Sequence, residues 1–281
     1  MKIGAQYKTN GDCEFVVWAP LQNLSLQLLS NEERIIQMEK DERGFWRTNV
    51  ENLQYETCYR YILNSSLTRP DPASHFQPQG VHNASQIVDH SLFKWNDSNW
   101  KGIDLSSMII YELHIGTFTS EGNFEAILPR LEELKSIGIN SIELMPIAQF
   151  SGERNWGYDG VFPFAVQNSY GGPAGLKKLV NECHRIGLAV ILDVIYNHLG
   201  PEGNYLADFG PYFTNKYKTP WGAAINFDGP YCEGVRNYFI ENSLHWFRNY
   251  HVDALRLDAV HAIYDKSAKP FLKELTVYIK D

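Results

Sequence analysis

The sequence predicts two structural parts, a small all-β sandwich followed by a parallel α/β unit. Short apolar runs separated by polar turns occupy roughly the first 90 residues, which is typical of an antiparallel sandwich. From residue 108 onward, strands alternate with amphipathic helices, which is typical of a parallel sheet. A Pro-rich stretch, 69-RPDPASHFQPQG-80, and residues 91–107 are expected to link the two parts as irregular chain.

The strands of the sandwich are predicted from runs of apolar, β-branched and aromatic residues. Four such runs are 13-CEFVVWAP-20, 24-LSLQLLS-30, 45-FWRTNV-50 and 58-CYRYIL-63. Polar clusters between them, such as 31-NEER-34 and 40-KDERG-44, are expected to form turns. We therefore assign residues 1–90 to the sandwich and residues 91–107 to a linker.

Four successive βα units are predicted between residues 108 and 281. The strands are expected at 108–116, 140–147, 188–198 and 252–260, and the helices at 123–138, 174–187, 233–250 and 267–280. Asn123 is the expected N-cap of the first helix, and Pro270 is expected in the first turn of the last. This succession predicts right-handed crossovers in either an open doubly wound sheet or a barrel. No Gly-rich phosphate loop follows the first strand, which weakens the nucleotide-binding, doubly wound alternative.

The composition is that of an ordinary soluble globular protein, with 44% hydrophobic residues among 281. A net charge of −8 argues against a nucleic-acid-binding surface, and no apolar run is long enough to span a membrane. The N-terminus lacks the apolar core of a signal peptide, and four scattered Cys residues indicate neither a zinc site nor a disulfide framework. We therefore expect a cytoplasmic protein without a metal or other cofactor. Its 7 Trp, 16 Tyr and 15 Phe residues also suit a sugar-binding cleft.

Polar residues gather at the C-terminal ends of the four predicted strands. Active sites of (β/α) barrels lie at that rim, so the pattern favours a barrel over an open sheet. Single charges at strand ends are often structural, but four consecutive strands that each deliver polar groups to one rim indicate a site. The residues concerned are Glu112, His114, Glu143, Asp193, Asn197, His198, Arg256, Asp258 and His261.

Two charged residues stand inside an otherwise apolar stretch, 253-DALRLDAVHAIYD-265. A buried strand here would put Arg256 and Asp258 on one face, where the two charges must be paired or in use. A structural ion pair is one interpretation. The other makes Asp258 a nucleophile whose charged form Arg256 favours, with Asn197 and His198 supplying hydrogen bonds to substrate hydroxyls or to the carboxylates.

Two motifs resemble those of the α-amylase superfamily of glycoside hydrolases. The segment 193-DVIYNH-198 resembles its first signature, and 256-RLDAVH-261 resembles its second. The stretches 111-YELHIGTFTSEGNF-124 and 155-NWGYDGVFPFAVQNSYGGP-173 resemble the trehalose-releasing members of that superfamily, and the resemblance extends over essentially the whole chain. It implies an accessory sandwich before a (β/α)8 TIM-type barrel. The implied reaction is hydrolysis, with retention at the anomeric carbon, of the α-1,4 bond between a terminal trehalose and a maltooligosaccharide.

The resemblance implies roles for seven residues by their positions in these motifs. Asp258 matches the catalytic nucleophile, and Arg256 matches its invariant partner. Tyr158 matches an aromatic residue that stacks on a sugar ring at the cleavage subsite. The residues matched to substrate binding are Tyr158, Asp193, Asn197, His198 and His261.

The remaining rim residues receive structural interpretations. Glu112 and His114 are expected to form a hydrogen-bonded layer on the first strand, and Glu143 is expected to be a structural rim residue. The long loop 199–229 is expected to form a wall of the substrate cleft. Its candidates for stacking on sugar rings are Tyr205, Phe209, Tyr212, Phe213 and Trp221.

The resemblance also implies a Glu general acid after a fifth strand and an Asp after a seventh. Residues 108–281 contain only four predicted βα units, so the chain is expected to hold the first half of the barrel and to be inactive alone. Such a half-barrel would expose two strand edges, and a dimer or a completing second chain is the expected partner beside an α-glucan substrate. Asp193 is expected to stay ionised beside Arg256 and therefore to be a poor acid.

Three other functions fit parts of the pattern. A glycogen or starch branching enzyme shares the order of sandwich and barrel, and its product would be new α-1,6 branches instead of trehalose. A non-catalytic α-glucan-binding protein would show no turnover. A catalytically inactive transporter partner should lose the nucleophile and gain a membrane anchor, and this sequence does neither.

Overall fold

A computed structural model describes residues 1–30 and 33–280; the first two residues of the predicted turn 31–34 and Asp281 lie outside the described residues. The N-terminal part consists of short strands. They are β1 (Gly4–Tyr7), β2 (Cys13–Trp18), β3 (Leu24–Leu29), β4 (Arg34–Gln37), β5 (Glu39–Lys40), β6 (Phe45–Val50), β7 (Cys58–Leu63), β8 (Leu67–Arg69) and β9 (Ser85–Gln86).

These strands form two antiparallel sheets, as the sequence predicts. One sheet has the order β1-β2-β6-β5, and the other has the order β4-β3-β7-β8 with β9 also paired to β7. Alternation along β7 buries Tyr59, Tyr61 and Leu63, which pack with the fully buried Phe15 and Leu26. The Phe15 and Tyr59 rings meet edge to face with their centroids 4.9 Å apart, so the sandwich has a continuous apolar interior.

The Pro-rich segment after β8 is irregular, as predicted, but it is packed into the protein interior. Asp71 is fully buried in it and accepts hydrogen bonds from the Tyr59 hydroxyl at 2.8 Å and from the Ala73 amide at 2.8 Å. Farther along, residues 91–107 contain little regular structure beyond the 3₁₀ turns His90–Leu92 and Leu105–Ser107. The first half of the link is thus a fixed part of the fold, because its polar groups find partners inside the sandwich.

The second part begins at residue 110. Its strands and α-helices are β10 (Ile110–Leu113), α1 (Ile115–Phe118), α2 (Phe124–Ile127), α3 (Leu131–Ser136), β11 (Ser141–Leu144), β12 (Ala148–Gln149), β13 (Phe162–Val166), α4 (Gly172–Ile186), β14 (Ala189–Val194), α5 (Leu206–Phe209), β15 (Phe213–Thr219), β16 (Gly222–Ile225), α6 (Cys232–Tyr250), β17 (Ala254–Leu257) and α7 (Phe271–Lys280). Short 3₁₀ helices cover Leu128–Arg130, Asn168–Tyr170 and Val260–Ala262.

The four predicted principal strands form one parallel sheet. Its order is β10-β11-β14-β17, so each strand pairs with the next principal strand along the chain. A doubly wound sheet reverses its strand order at a switch point, and no reversal occurs among these four strands. The predicted parallel α/β arrangement is therefore confirmed for the described residues.

Several predicted boundaries need correction. The helix predicted at 123–138 is divided by the 3₁₀ turn Leu128–Arg130, because Pro129 has no N–H for the helical ladder. Asn123 does cap the first piece, since its Oδ1 accepts a hydrogen bond from the Ala126 amide at 3.0 Å. Pro270 precedes α7 instead of lying in its first turn, and its carbonyl accepts the first helical bond from the Glu274 amide at 3.0 Å.

The prediction of a buried strand at 252–260 is wrong in part. Strand β17 is half-buried, its Arg256 is exposed, and Asp258 lies just beyond its end. The strand at the other edge, β10, leaves Ile110 43% and Tyr111 36% exposed. Each of these two strands has one neighbour among the described strands, which agrees with the expected exposure of two edges.

The sandwich packs directly on the α/β part. Trp18 meets Tyr212 edge to face at 5.1 Å, and it approaches α6 so closely that a Cβ on Gly234 would lie 2.0 Å from the indole. The N-terminal amine also donates to Glu241 at 3.0 Å. Among the described helices, none combines the length and the apolar character needed to cross a membrane.

Candidate active site

The site is built on two neighbouring parallel strands. Asp193 on β14 and Arg256 on β17 are paired in register near the C-terminal ends of these strands. Arg256 Nη1 donates to Asp193 Oδ2 at 2.8 Å and to Asp258 Oδ1 at 2.8 Å. Both carboxylates therefore bind the same guanidinium nitrogen. Their side chains converge at this rim, as the sequence predicts.

The two carboxylates differ in exposure. The Asp193 side chain is completely buried, whereas the Asp258 side chain is 17% exposed. Burial raises the pKa of Asp193 to about 6, although hydrogen bonds and charge from Arg256 oppose the rise. Desolvation thus outweighs the ion pair in raising the pKa, yet a carboxyl group with a pKa of about 6 is still mostly ionised at pH 7, as expected for Asp193. Burial alone would lower the pKa of Arg256, but Asp193 and Asp258 raise it.

Tyr158 belongs to this group of residues through its hydroxyl, which donates to Asp193 Oδ2 at 3.2 Å. Burial and the neighbouring Asp193 raise the pKa of Tyr158 to about 12, so the hydroxyl keeps its proton. The loop that carries it is folded by Asn155, whose Oδ1 accepts from the Gly157 amide at 2.8 Å. Gly157 has φ +101°, and a Cβ there would lie 2.1 Å from the Pro146 carbonyl oxygen. The loop conformation requires glycine at this position.

Asn197 and His198 hold the loop that carries Tyr158 in place through hydrogen bonds. His198 Nε2 donates to the Tyr158 carbonyl at 3.0 Å, and Asn197 Nδ2 donates to His198 Nδ1 at 2.8 Å. Burial lowers the pKa of His198, in keeping with the neutral Nε2–H tautomer that these partners require. Both ring nitrogens are thus engaged with protein, so His198 fixes the loop that carries Tyr158.

Two buried oxygen atoms at the site have no hydrogen-bond donor. They are Asp193 Oδ1 and Asn197 Oδ1. Because an unpaired buried acceptor is costly, a water molecule or a ligand hydroxyl group would be held at either atom. The arrangement is therefore suited to hydroxyl-rich ligands.

The first two strands add two glutamates to the site. Glu112 and Glu143 are in register with Ile191, two residues before Asp193, but their side chains bring a carboxylate oxygen of each within 4.8 Å of an Asp193 oxygen. Burial and the nearby Glu112 raise the pKa of Glu143. His114 has the hydrogen-bonding role expected of it, since its Nε2 donates to the Asn155 carbonyl at 2.7 Å.

The loop 199–229 contains α5 and the hairpin β15–β16, and its aromatic residues divide into two groups. Phe209 and Tyr212 are buried core residues, so the prediction that they stack on sugars is wrong. Trp221 is 46% exposed and stacks on the His198 ring at 4.8 Å with an interplanar angle of 12°. Trp221 and the half-buried Phe213 line a cleft of about 390 Å³ beside His198, which fits the predicted cleft wall.

Two further candidates lie apart from the carboxylates. Tyr205 is half-buried, and its ring lies 4.5 Å from the Arg69 guanidinium. His261 is exposed in the 3₁₀ helix Val260–Ala262, three residues beyond Asp258. Sequence reasoning overlooked Asn155 as a loop-building residue; an Asn two positions before a Gly is the signal that could have identified it.

Comparisons with known proteins give this geometry a context. A family model described as the α-amylase catalytic domain matches residues 86–221. The chain is 51% identical over 271 residues to a malto-oligosyltrehalose trehalohydrolase from Saccharolobus solfataricus, a match that covers 96% of the chain and 48% of that relative. It is 34% identical over 275 residues to a 1,4-alpha-glucan branching enzyme from Bacillus cytotoxicus, with 88% and 42% covered.

A solved structure gives a similar result. The crystal structure described as a putative alpha amylase from Salmonella typhimurium has a TM-score of 0.93 and 38% sequence identity, and the alignment covers 99% of this chain and 47% of that one. The chain spans about half the length of the relatives it matches. The resemblance to α-amylase-type glycosidases, and to the trehalohydrolases among them, is confirmed.

Proposed function

We propose, from this close similarity to the trehalohydrolases of the α-amylase family, that the chain supplies the nucleophile half of a retaining glycosidase that releases trehalose from maltooligosyl-trehalose. The observation that carries the proposal is the single Arg256 nitrogen that binds both Asp193 and Asp258 at 2.8 Å. Asp258 remains partly exposed at the C-terminal end of the parallel strands, where a substrate would lie.

In the proposed reaction, an Asp258 oxygen attacks the anomeric carbon of the maltooligosaccharide. The bond from that carbon to the bridging oxygen breaks, and the released trehalose oxygen takes a proton from a general acid. Water then cleaves the glycosyl ester and regenerates the Asp258 carboxylate. Arg256 orients Asp258, while Asp193 and Tyr158 hold Arg256 and the rim in place.

We assign the remaining site residues to substrate binding. The Tyr158 ring and Trp221 would stack on sugar rings, and the unpaired oxygens of Asp193 and Asn197 would accept hydroxyl groups. His198 acts on substrate through the loop of Tyr158. We give His261 the weaker role of a sugar contact after the fourth strand.

We also propose that the 281-residue chain alone is inactive. A retaining glycosidase needs two carboxyl groups about 5–5.5 Å apart, and the second must protonate the leaving oxygen. Asp193 is a poor acid, because a carboxyl group with a pKa of about 6 is mostly ionised at pH 7 and its Oδ2 already accepts from Arg256. Glu143 brings a carboxylate oxygen within 4.8 Å of Asp193, but it does not occupy the position that the resemblance implies for the general acid, after a fifth strand.

The domain assignment follows the sequence. We propose that residues 1–90 form an accessory sandwich, residues 91–107 a linker, and residues 108–281 the first four units of a (β/α)8 barrel. In this arrangement the exposed edges β10 and β17 pair with further strands of a complete barrel.

A product assay tests the function. A chimera in which this chain replaces the matched region of the S. solfataricus relative is incubated with maltooligosyl-trehalose, and free trehalose is quantified. We expect trehalose from the chimera and none from the 281-residue chain. New α-1,6 branches would instead support a branching enzyme, and binding without turnover would support a glucan-binding protein. Trehalose release by the chain alone, abolished by Asp258→Asn, would overturn the proposed inactivity.

A further inference from the structure

Three of the nine histidines meet where the Pro-rich segment packs on the α/β part. His75 comes from the Pro-rich segment, His90 from the following 3₁₀ turn, and His245 from α6. Each offers a ring nitrogen, and the three nitrogens lie within 4.8 Å of one another. His75 and His245 are 4% and 5% exposed, so the cluster is inside the protein.

The cluster carries more unpaired polar atoms than its packing explains. Among the described residues, eight buried side-chain polar atoms lack a hydrogen-bond partner, and half of them lie in or against this cluster. They are His90 Nδ1, His245 Nε2, Trp246 Nε1 and Tyr250 OH. The Tyr250 ring packs edge to face against His90 at 5.5 Å and against His245 at 5.3 Å. Of these atoms, His245 Nε2 is the one that a metal ion bound between the three rings would occupy, whereas the Trp246 indole N–H is a donor and cannot bind a cation.

Three histidines are a common ligand set for a zinc ion, because each neutral imidazole supplies one nitrogen lone pair.

The spacing also suits a tetrahedral ion. His90 Nε2 and His75 Nδ1 are 3.2 Å apart, and two nitrogens at the usual zinc distance are separated by about 3.3 Å in tetrahedral geometry. The Asn249 amide contacts His245 Nδ1 at 2.9 Å and orients the ring. In this orientation Nδ1 accepts from the amide and Nε2 carries the proton, so binding through Nε2 requires the amide to turn over and its oxygen to accept a hydrogen bond from Nδ1–H.

A cavity of about 60 Å³ borders His75, His245 and Asn249, which is enough room for a water molecule beside the cluster. One feature opposes a cation: Lys177 Nζ donates to the His90 carbonyl at 3.0 Å.

We propose that His75, His90 and His245 bind one Zn²⁺ ion that joins the Pro-rich segment 69–80 and the 3₁₀ turn His90–Leu92 to helix α6. The site is separate from the proposed glycosidase chemistry, and its role is to stabilise the junction between the two parts of the fold. Binding ties together segments up to 170 positions apart in the sequence, so it should raise the melting temperature of the chain by mass action.

The test uses the untagged 281-residue chain, stripped with a chelator and dialysed against Zn²⁺ alone. We expect one zinc per chain by elemental analysis, a higher melting temperature with Zn²⁺, and a tetrahedral visible spectrum with Co²⁺. The ligand variant is His90→Gln, chosen because His90 is less buried than the other two. It should weaken zinc binding by roughly 100-fold or more. The matched control is His82→Gln, an exposed histidine outside the cluster, which should bind as the unmodified chain does.

Two results would contradict the proposed zinc site. Absence of stoichiometric zinc and of a melting shift in the unmodified chain would overturn the proposal. So would equal zinc affinity in the His90→Gln and His82→Gln variants. Because the zinc content, melting shift and Co²⁺ spectrum are measured on the unmodified chain, the proposal stays testable even if His90→Gln fails to fold.

Discussion

Asp193 and Arg256 face each other across β14 and β17, with Arg256 Nη1 2.8 Å from Asp193 Oδ2. The buried carboxylate determines where the more exposed guanidinium lies, and the guanidinium in turn holds Asp258. The register of a parallel sheet thereby fixes the position of a residue that lies just outside that sheet.

Asp258→Asn should abolish trehalose release in the chimera while leaving the fold intact. The amide has nearly the same shape, but it cannot form the glycosyl ester, so we expect a loss of at least about a thousandfold in kcat. Asp104→Asn, an exposed change at a 3₁₀ turn without a side-chain cap, is the control and should retain full activity. If Asp258→Asn kept more than about a hundredth of the rate, the nucleophile assignment would be wrong.

Two changes at Tyr158 should separate its two contacts. Tyr158→Phe keeps the ring and removes the 3.2 Å hydrogen bond to Asp193, so KM should change little while kcat falls by roughly tenfold. Tyr158→Ala also removes the stacking surface, so it should raise KM as well. Steady-state kinetics of the chimera measure both parameters, and unchanged kinetics in Tyr158→Ala would make this residue simple loop packing.

Gly157→Ala should destabilise the 281-residue chain by roughly 3 kcal/mol or more, because the new methyl group meets the Pro146 carbonyl at 2.1 Å and the backbone has φ +101°. Gly138→Ala is a close control: its φ is +95°, but no atom lies within 4 Å of the new Cβ. Strain alone should cost this control about 1 kcal/mol. Urea unfolding of both variants measures the difference, and equal losses would show that the contact with Pro146 relaxes freely.

His184 should make stability depend on pH. Burial opposes its protonation, but Asp253 and Asp97, each 3.0 Å from one ring nitrogen, more than compensate and raise its pKa above 6.5. A raised folded-state pKa gives stability that is complete below the unfolded value of about 6.5 and is lost as pH rises through the folded value. His184→Gln should therefore lower the melting temperature more at about pH 6 than at about pH 9.

The control for that experiment is His82→Gln, since His82 is 53% exposed and lies on another surface. Its melting temperature should follow that of the unmodified chain at every pH. If His184→Gln lowered the melting temperature by the same amount at every pH, the assignment would be wrong, because a loss of packing alone does not depend on pH.

Parts of the fold and the site could be predicted because they depend on local pattern. The alternation along 58-CYRYIL-63 places Tyr59 and Tyr61 inside, and the strand containing Asp193 is apolar enough to be recognised directly. The cap at Asn123 is likewise a local hydrogen bond. Errors arose where the outcome depends on distant chain. Phe209 and Tyr212 are aromatic residues in a long loop, as cleft residues often are. Their rings pack against Tyr61 and Trp18 of the sandwich, so both residues belong to the core.

The sequence by itself determined the order of the two parts, the four parallel strands, and the residue types available at their ends. Those properties follow from periodicity and from motifs read along the chain. Only the tertiary structure decided that one Arg256 nitrogen serves two carboxylates, that desolvation outweighs this ion pair at Asp193, and that His75, His90 and His245 meet. Hydrogen bonding, desolvation and metal binding depend on distances between side chains in space, and residues far apart in sequence acquire those distances only when the chain folds.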